Sequence, residues 1–381
     1  MAVGKKLLFI LPNLNGGGAE RVTMQLLVKL QARGFEPTLL VIRRKGALLT
    51  QIPPQLRVLT ALEADEAVYL GGPAFLRKLF RLARDADAVI GALEHEACYF
   101  AWLAARMTRK PVIGWIHAVM GNHLPEVARI HTTLARQIYP RMDRLVFPSR
   151  GSADSLAAVA RLDPCRVAII PSYIDVVELQ SRAEQALPDW AVEVFRKPTI
   201  LSAGRLVHSK GLDVLIGSHV QLRKTGIDHN LLILGEGPLR PELEALARRL
   251  GVESSVFMPG FMENPYKFMK RATVFVLASR FESLATVILE AMAIGCAVVA
   301  TDCPGGVREI LLGAADGRTR VEPCGRLVRV DDQDALGESI AKLLNDDAMR
   351  RSLAVSAGKR VRNYSAEVLI PRWEQLLSEL I

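Results

Sequence analysis

The strongest constraint on this chain is an alternation that runs from one end to the other. Wholly apolar stretches of four to six residues are each followed by a segment with apolar residues at helical spacing. A strand reads as continuously apolar when both its faces are covered, which happens in parallel sheets with helices on either side. The first repeat of this pattern is clear: Lys6 to Leu11 as a strand, Gly16-Gly17-Gly18 as a turn, Ala19 to Arg33 as a helix ended by Gly34, and Pro37 to Ile42 as the next strand. Further strands are expected at Ala88 to Ala92, Val112 to His117, Arg144 to Pro148 and Val167 to Pro171. After a polar stretch from Val176 to Lys197, with Pro188 and Pro198, the series begins afresh at Thr199 to Ala203. It continues through Leu231 to Gly235, Ser255 to Met258, Val274 to Ala278, Ala297 to Thr301 and Gly325 to Val328.

The expected fold is therefore α/β with two doubly wound lobes, residues 1–180 and a second lobe from residue 199, joined by a linker at 181–198. A length of 381 residues agrees, since one ordinary domain takes roughly 100–200. With 50% hydrophobic and 23% charged residues the chain can fill two cores, and disorder does not fit. The apolar run behind Lys5 and Lys6 meets Pro12 before reaching the roughly 7–15 residues of a signal peptide. No stretch approaches the roughly 18 apolar residues of a membrane-crossing helix, so membrane association is expected to be peripheral. Cys98, Cys165, Cys296, Cys303 and Cys324 are odd in number and without a CxxC, which points to a reducing cytoplasm and no disulfide framework.

The formal charge of +9 is uneven. Residues 1–180 hold 23 Lys and Arg against 15 Asp and Glu, whereas residues 181–381 hold 26 against 25. The first lobe is thus expected to face something anionic: nucleic acid, a phospholipid surface or a phosphorylated acceptor. Within it, Pro73 to Arg84 sets Phe75, Leu76, Leu79 and Leu82 among Arg77, Lys78, Arg81 and Arg84. That pattern suits a helix lying on an anionic membrane, and equally an ordinary surface helix.

In open parallel sheets ligands bind beyond the carboxyl ends of the strands, so chemistry is sought in the loops there. The loop Asn15 to Arg21 has three glycines before a helix start, which permit close backbone approach to a ligand or a tight turn alone. Strand Thr199 to Ala203 delivers Gly204-Arg205 and then Lys210-Gly211. Side by side these cations would neutralise a diphosphate; by themselves they also describe a solvated surface. The segment Arg280 to Ala293 follows an apolar strand and opens a helix whose first amides, near Ala285 and Thr286, could hold phosphate oxygens. Glu282 precedes that helix, and Glu290 lies about two turns in among apolar residues, where a carboxylate needs a donor partner such as a ribose diol, a buried Arg or an amide. His117 ends its strand and reads as either a functional or a structural imidazole. The Asp-x-Asp at Asp85-Ala86-Asp87 reads as a solvated helix end rather than a metal site.

Taken in order, Gly17-Gly18-Ala19-Glu20-Arg21, Gly204-Arg205 with Lys210-Gly211, Glu282 with Glu290, Glu290-Ala291-Met292-Ala293 with Gly295, and Gly305-Gly306 with Glu309 resemble the retaining glycosyltransferases of family 4. The resemblance covers nearly the whole chain. It implies the GT-B architecture: two doubly wound Rossmann-like domains facing a central cleft, an acceptor-binding first lobe, a nucleotide-sugar-binding second lobe at 199–358, and a last helix within 359–381 returning to the first. It also implies that Arg205 and Lys210 bind the donor diphosphate, that Glu290 holds the ribose, and that Glu282 and His117 face the transferred sugar. Gly17 and Gly18 would approach the donor from the first lobe, and Ala285 and Thr286 would offer amides to it. The expected catalytic set is Glu282, Arg205, Lys210 and His117.

The expected reaction is transfer of a hexose or N-acetylhexosamine, most simply from a UDP-sugar, to a saccharide or lipid-linked acceptor of a surface polysaccharide or lipopolysaccharide, with the anomeric configuration retained. No metal or other cofactor and no nucleic acid are expected. The protein is expected in the cytoplasm, with the inner membrane face as a further partner. A sugar-nucleotide epimerase of the same architecture and a non-catalytic polyanion binder are the competing readings; against the latter, basic residues are not interleaved with aromatics, which total 6%. Where many relatives read Glu-Gly-Phe-Gly, this chain reads Glu282-Ser283-Leu284-Ala285, which leaves the transferred sugar open.

Overall fold

The computed structural model describes residues 4–15, 17–64, 72–119, 125–313 and 323–381. They form two compact units, one of residues 1–172 with 367–381 and one of residues 173–366. In the first unit, seven parallel strands are β1 (Lys6–Leu11), β2 (Glu36–Arg43), β3 (Arg57–Leu62), β4 (Ala88–Gly91), β5 (Val112–Trp115), β6 (Arg144–Phe147) and β7 (Val167–Ile169). Their order is β3-β2-β1-β4-β5-β6-β7. In the second unit, β8 (Thr199–Ala203), β9 (Asn230–Leu234), β10 (Val256–Gly260), β11 (Val274–Leu277), β12 (Val298–Thr301) and β13 (Arg326–Val328) lie in the order β10-β9-β8-β11-β12-β13. The central strands are buried on both faces, as Leu7 to Leu11 and Val274 to Leu277 show. Continuous apolar runs are what such positions require.

Strand order reverses once in each sheet. In the first, the chain moves outward through β2 and β3 and then returns to β4 beside β1; in the second, it moves through β9 and β10 and returns to β11 beside β8. Loops leaving two neighbouring strands on opposite sides open a crevice at such a reversal, beyond the strands' carboxyl ends. The loops after β1 and β4, and after β8 and β11, are therefore the positions that this topology prepares for a ligand.

Two details differ from what the sequence suggests, and a third decides between readings that the sequence left open. Strand β3 was not anticipated: it is a half-buried edge strand whose Arg57 and Thr60 interrupt the apolar run that marks central strands. Residues 181–198, expected to be a linker, belong to the second unit and carry packed helix: Val176–Ala183 and Asp189–Val194 bury Leu179, Ala183, Ala191 and Val194. Each of these short helices shows one small apolar face, too little to stand out from its polar remainder. The helix Gly72–Asp85 turns Phe75, Leu79 and Ala83 into the first core, with Leu76, Phe80 and Leu82 partly buried against it. Its apolar stripe is thus used inside the protein, and Arg77, Arg81 and Arg84 are exposed on the surface.

The last helix, Ala366–Ser378, packs on the first unit from Glu367 onward and buries Leu369, Ile370, Trp373, Leu376 and Leu377. The Trp373 ring meets the Trp115 ring edge-on at 4.8 Å, and Arg33 and Arg144 pair with Glu374 and Glu379. Burial of side chains this large stabilises by roughly 1.5–3 kcal/mol each, far more than such exposed ion pairs.

Candidate functional site

In the second unit, β8 ends at Ala203 and the chain continues through an exposed Gly204 and Arg205. Among the described residues the Arg205 guanidinium has no hydrogen-bond or ion-pair partner. A turn at His208–Lys210 then brings Lys210 back over Gly204, where a Cβ would stand 3.5 Å from the Lys210 Cε. Gly211 follows at φ +58, and a Cβ there would fall 2.1 Å from the Ala278 carbonyl, so only glycine lets this turn lie against the end of β11.

From β11 the chain reaches Ser279, Arg280 and Glu282. Lys210 Nζ lies 2.5 Å from Glu282 Oε1, and the Ser279 hydroxyl donates to the same oxygen at 2.6 Å. The two charged side chains are 22% and 12% exposed, so water screens their attraction weakly. The Glu282 amide donates to the Pro304 carbonyl at 3.1 Å, and Glu282 bridges to Gly305 in strand-like fashion. A Cβ on Gly305 would overlap the Glu282 carbonyl oxygen at 1.4 Å, which explains the glycine of the Gly305-Gly306 turn. The topology thus brings Lys210 and Glu282 together from the loops after β8 and β11, 72 residues apart in sequence.

Arg280 fastens this arrangement. It holds Asp213 with two parallel bonds of 3.0 and 2.8 Å, donates to the His208 carbonyl at 2.7 Å, pairs with Asp331 at 2.8 Å, and its amide donates to the Ser209 carbonyl at 2.7 Å. Burial pushes the Asp213 carboxyl up, but the Arg280 guanidinium outweighs it and holds that carboxyl below its usual range. The loop carrying Arg205 and Lys210 is therefore tied to the loop carrying Glu282.

The helix Thr286–Ile294 begins just beyond. Its cap, Ala285, is buried and takes the left-handed conformation at φ 65 and ψ 57, which costs a non-glycine residue roughly 1–2 kcal/mol. Strain of this kind persists where the surroundings impose it, here in aiming the first amides of the helix. Thr286 is its first residue, and Glu290 sits half-buried a little over one turn in.

In the first unit, Gly17 caps the helix Gly18–Ala32 and Gly16 lies outside the described residues. Gly18 has open space where a Cβ would be, whereas a Cβ on Gly17 would stand 2.4 Å from Oε2 of Glu20. The Glu20 carboxylate is the far end of a flexible side chain and can move aside, so this contact does not by itself require glycine at 17, and Gly18 has open space. Beyond β4, Glu94 accepts the amide of His117 at 3.1 Å. Burial first, and the Glu20 charge after it, push the Glu94 carboxyl up. Burial pulls His117 down to about 3, so its imidazole is neutral, and its ring stands 4.4 Å from that of Trp115. Glu94 and Arg280 carry no motif. The available signal was position: each directly follows an apolar run that ends at a sheet reversal.

Among the described residues no group of three His, Cys, Asp or Glu side chains could hold a metal ion. Asp87 of the Asp-x-Asp caps the Lys6 amide at 2.8 Å, a structural task. Among the same residues no helix is long and apolar enough to cross a membrane.

Comparison with known proteins gives a consistent picture. Residues 16–178 match the model of Glycosyltransferase Family 4, and residues 191–360 that of Glycosyl transferases group 1. The chain is 30% identical over 375 residues to a Campylobacter jejuni protein named N-acetylgalactosamine-N,N'-diacetylbacillosaminyl-diphospho-undecaprenol 4-alpha-N-acetylgalactosaminyltransferase, covering 94% of this chain and 96% of that one. A second Campylobacter jejuni protein, named as an alpha-1,4-N-acetyl-D-galactosaminyltransferase acting on a GalNAc-containing diNAcBac-PP-undecaprenol, is 25% identical over 98% of this chain and 99% of its own. Among solved structures, HepE of Anabaena in complex with UDP superposes with a TM-score of 0.81 at 20% identity, over 98% of this chain and 100% of that one.

Proposed function

Since the chain belongs to the family 4 glycosyltransferases and has their GT-B fold, we propose that it transfers an N-acetylhexosamine or hexose from a UDP-sugar to a lipid-linked saccharide, with retention of the anomeric configuration. The observation that carries this reading is the convergence, at the reversal of the second sheet, of the loop bearing Arg205, which has no partner among the described residues, the Lys210–Glu282 pair and the start of the helix at Thr286. The names of the two Campylobacter relatives support the N-acetylhexosamine and the polyprenyl diphosphate acceptor. The UDP held by HepE supports the nucleotide.

In this reading Arg205 forks onto the donor diphosphate and Lys210 turns from Glu282 toward the β-phosphate as charge grows there. The bond from the anomeric carbon to the phosphate oxygen breaks, and its electrons stay on the phosphate. An acceptor hydroxyl attacks from the same face and gives its proton to that oxygen, which retains the configuration. Preorganised cations act where the charge develops, so no metal is needed for leaving-group stabilisation. Glu290 receives the ribose hydroxyls, while Glu282, held by Ser279, faces the transferred sugar. The basic surface of that unit, Arg77, Arg81 and Arg84 included, brings the protein to an anionic cytoplasmic leaflet by charge rather than by insertion.

The test is incubation with UDP-GalNAc, UDP-GlcNAc or UDP-glucose and the undecaprenyl-linked acceptor named for the first relative. Mass spectrometry should show one added sugar, and proton coupling at its anomeric centre an α linkage. A β linkage would refute retention, and absence of product with every donor would count against the acceptor. Donor consumed without an acceptor to give an isomer would instead mark an epimerase.

A further inference from the structure

The second unit carries a groove that the proposed chemistry does not use. It lies between the helices Val176–Ala183 and Asp347–Val361 and measures about 520 Å³, within the roughly 300–1,000 Å³ of small-molecule sites. Its apolar lining is Val176, Ala293, Ala354, Val355 and Val361. Ala293 stands near the far end of the helix Thr286–Ile294, about 10 Å along the axis from the start offered to the diphosphate. Val355 in the lining is 61% exposed, and Val177, next to Val176 in sequence, is 78% exposed. An open apolar patch that continues into a groove marks a surface for another molecule. Gly358 also lines the groove. Glycine inside a helix is less favourable than alanine, yet among the described residues nothing stands within 4 Å of where a Cβ on Gly358 would be. Packing within the chain does not ask for glycine there, whereas close approach of another molecule to the helix backbone does.

Lys359 and Arg362 make one end of this groove cationic, and both are exposed and without a hydrogen-bond or ion-pair partner among the described residues. The carboxylates on the facing helix are engaged. Asp175 caps its start by accepting the Glu178 amide at 3.0 Å, and Glu178 pairs with Arg182 at 3.6 Å. Cations at a helix C-terminus complement its dipole, which accounts for the two charges but for neither the glycine nor the groove. We propose that the groove holds an acyl chain of an anionic phospholipid, with the headgroup phosphate on Lys359 and Arg362. The planar fork of Arg362 and the mobile charge of Lys359 suit phosphate oxygens, and the valine and alanine wall takes methylenes out of water. Ala354 to Val361 spans about 10 Å of helix, enough for part of one chain while the remainder stays in the bilayer. A soluble anion would use only the cations and an uncharged lipid only the valines; the two together select an anionic amphiphile. None of these residues belongs to the diphosphate site, so the lipid site and glycosyl transfer fail independently.

The test measures binding of palmitoyl lysophosphatidylglycerol, below its micelle concentration, to the full chain by native mass spectrometry, with Tm as the control for folding. One molecule should bind per chain. Lys359→Glu with Arg362→Glu, and separately Gly358→Leu, which fills the groove, should each weaken binding by about tenfold or more. Arg248→Glu with Arg249→Glu makes the same change of charge on exposed residues elsewhere in the unit and should leave binding within about twofold. Monopalmitin, which lacks the phosphate, and glycerol phosphate, which lacks the chain, should each bind about tenfold or more weakly than the lysophospholipid. Glycerol phosphate binding as tightly would mean a phosphate site alone, and monopalmitin binding as tightly an apolar site alone; either result overturns the proposal. So would wild-type protein that binds no lipid, binding that survives both groove variants, or an equal loss in the Arg248→Glu with Arg249→Glu variant. Should Gly358→Leu lower Tm, the reversal at Lys359 and Arg362 decides by itself.

Discussion

Replacing Lys210 by Met separates what the Lys210–Glu282 pair does for the fold from what it does for the reaction. The substitution keeps the apolar stem over Gly204 and deletes only the ammonium, which leaves Glu282 at 12% exposure with the Ser279 hydroxyl as its one remaining side-chain donor. Breaking a fully buried pair costs about 3–5 kcal/mol. Because Lys210 is 22% exposed and water can reach the stranded carboxylate in part, a cost of about 2 kcal/mol is expected. Glu282→Gln, which keeps an acceptor for the Lys210 ammonium and the Ser279 hydroxyl, should cost about 1 kcal/mol. In the double variant neither charge is stranded, so urea unfolding should reveal a coupling of about 1–2 kcal/mol. Turnover should not follow stability. Lys210→Met and the double variant should both lose roughly 10²-fold or more in kcat, since the lost group stabilises charge that appears only in the transition state. Additive stabilities would mean that the pair is not formed in solution, and a double variant with restored turnover would refute a role for Lys210 on the phosphate.

Other consequences can be checked separately. Ala285→Gly should raise the urea midpoint by the equivalent of about 0.5–1 kcal/mol, because glycine adopts φ 65 without strain; a lower midpoint would show that the cap is not left-handed. Burial pulls His219 down to about 3 in the folded chain, while an unfolded histidine titrates near its ordinary 6.5. The unfolded state therefore binds more protons in that window, and stability should fall as pH drops from about 6.5, by about 2 kcal/mol at pH 5 from this residue alone. The loss should be measurable as urea midpoints at pH 7 and 5. His219→Gln should flatten that slope, and an unchanged slope would contradict the buried, neutral His219–His229 pair bonded at 2.8 Å. Arg280→Lys cannot rebuild the two-pronged hold on Asp213 and should weaken UDP binding at least fivefold, with about 1–2 kcal/mol of stability lost. Wild-type UDP affinity in this variant would show that the clamp does not set the loop.

The parts legible in the sequence were those that burial writes locally. Leu7 to Leu11 and Val274 to Leu277 are apolar throughout because helices cover both faces of their sheets, so these strands are visible without tertiary information. Strand β3 escaped because an edge strand such as Arg57–Leu62 need not be apolar on both faces. The helix Gly72–Asp85 has the same stripe of Phe75 and Leu79 whether it covers a core or a membrane, and only packing decides. The same division holds at the site. Lys210, Glu282 and Gly305 stood out by spacing, but that Lys210 and Glu282 touch, and that Gly305 is glycine because the Glu282 carbonyl lies against it, are facts of contact. Glu94 and Arg280 belong to no pattern of spacing, and they become visible only when the strand order puts their loops at a reversal.

The most direct measurement is a crystal structure of the protein with UDP. The diphosphate should lie against Arg205 and Lys210 with an oxygen facing the amide of Thr286, and Glu290 should hold the ribose. A nucleotide bound elsewhere, or a diphosphate that leaves both Arg205 and Lys210 untouched, would contradict the proposed chemistry.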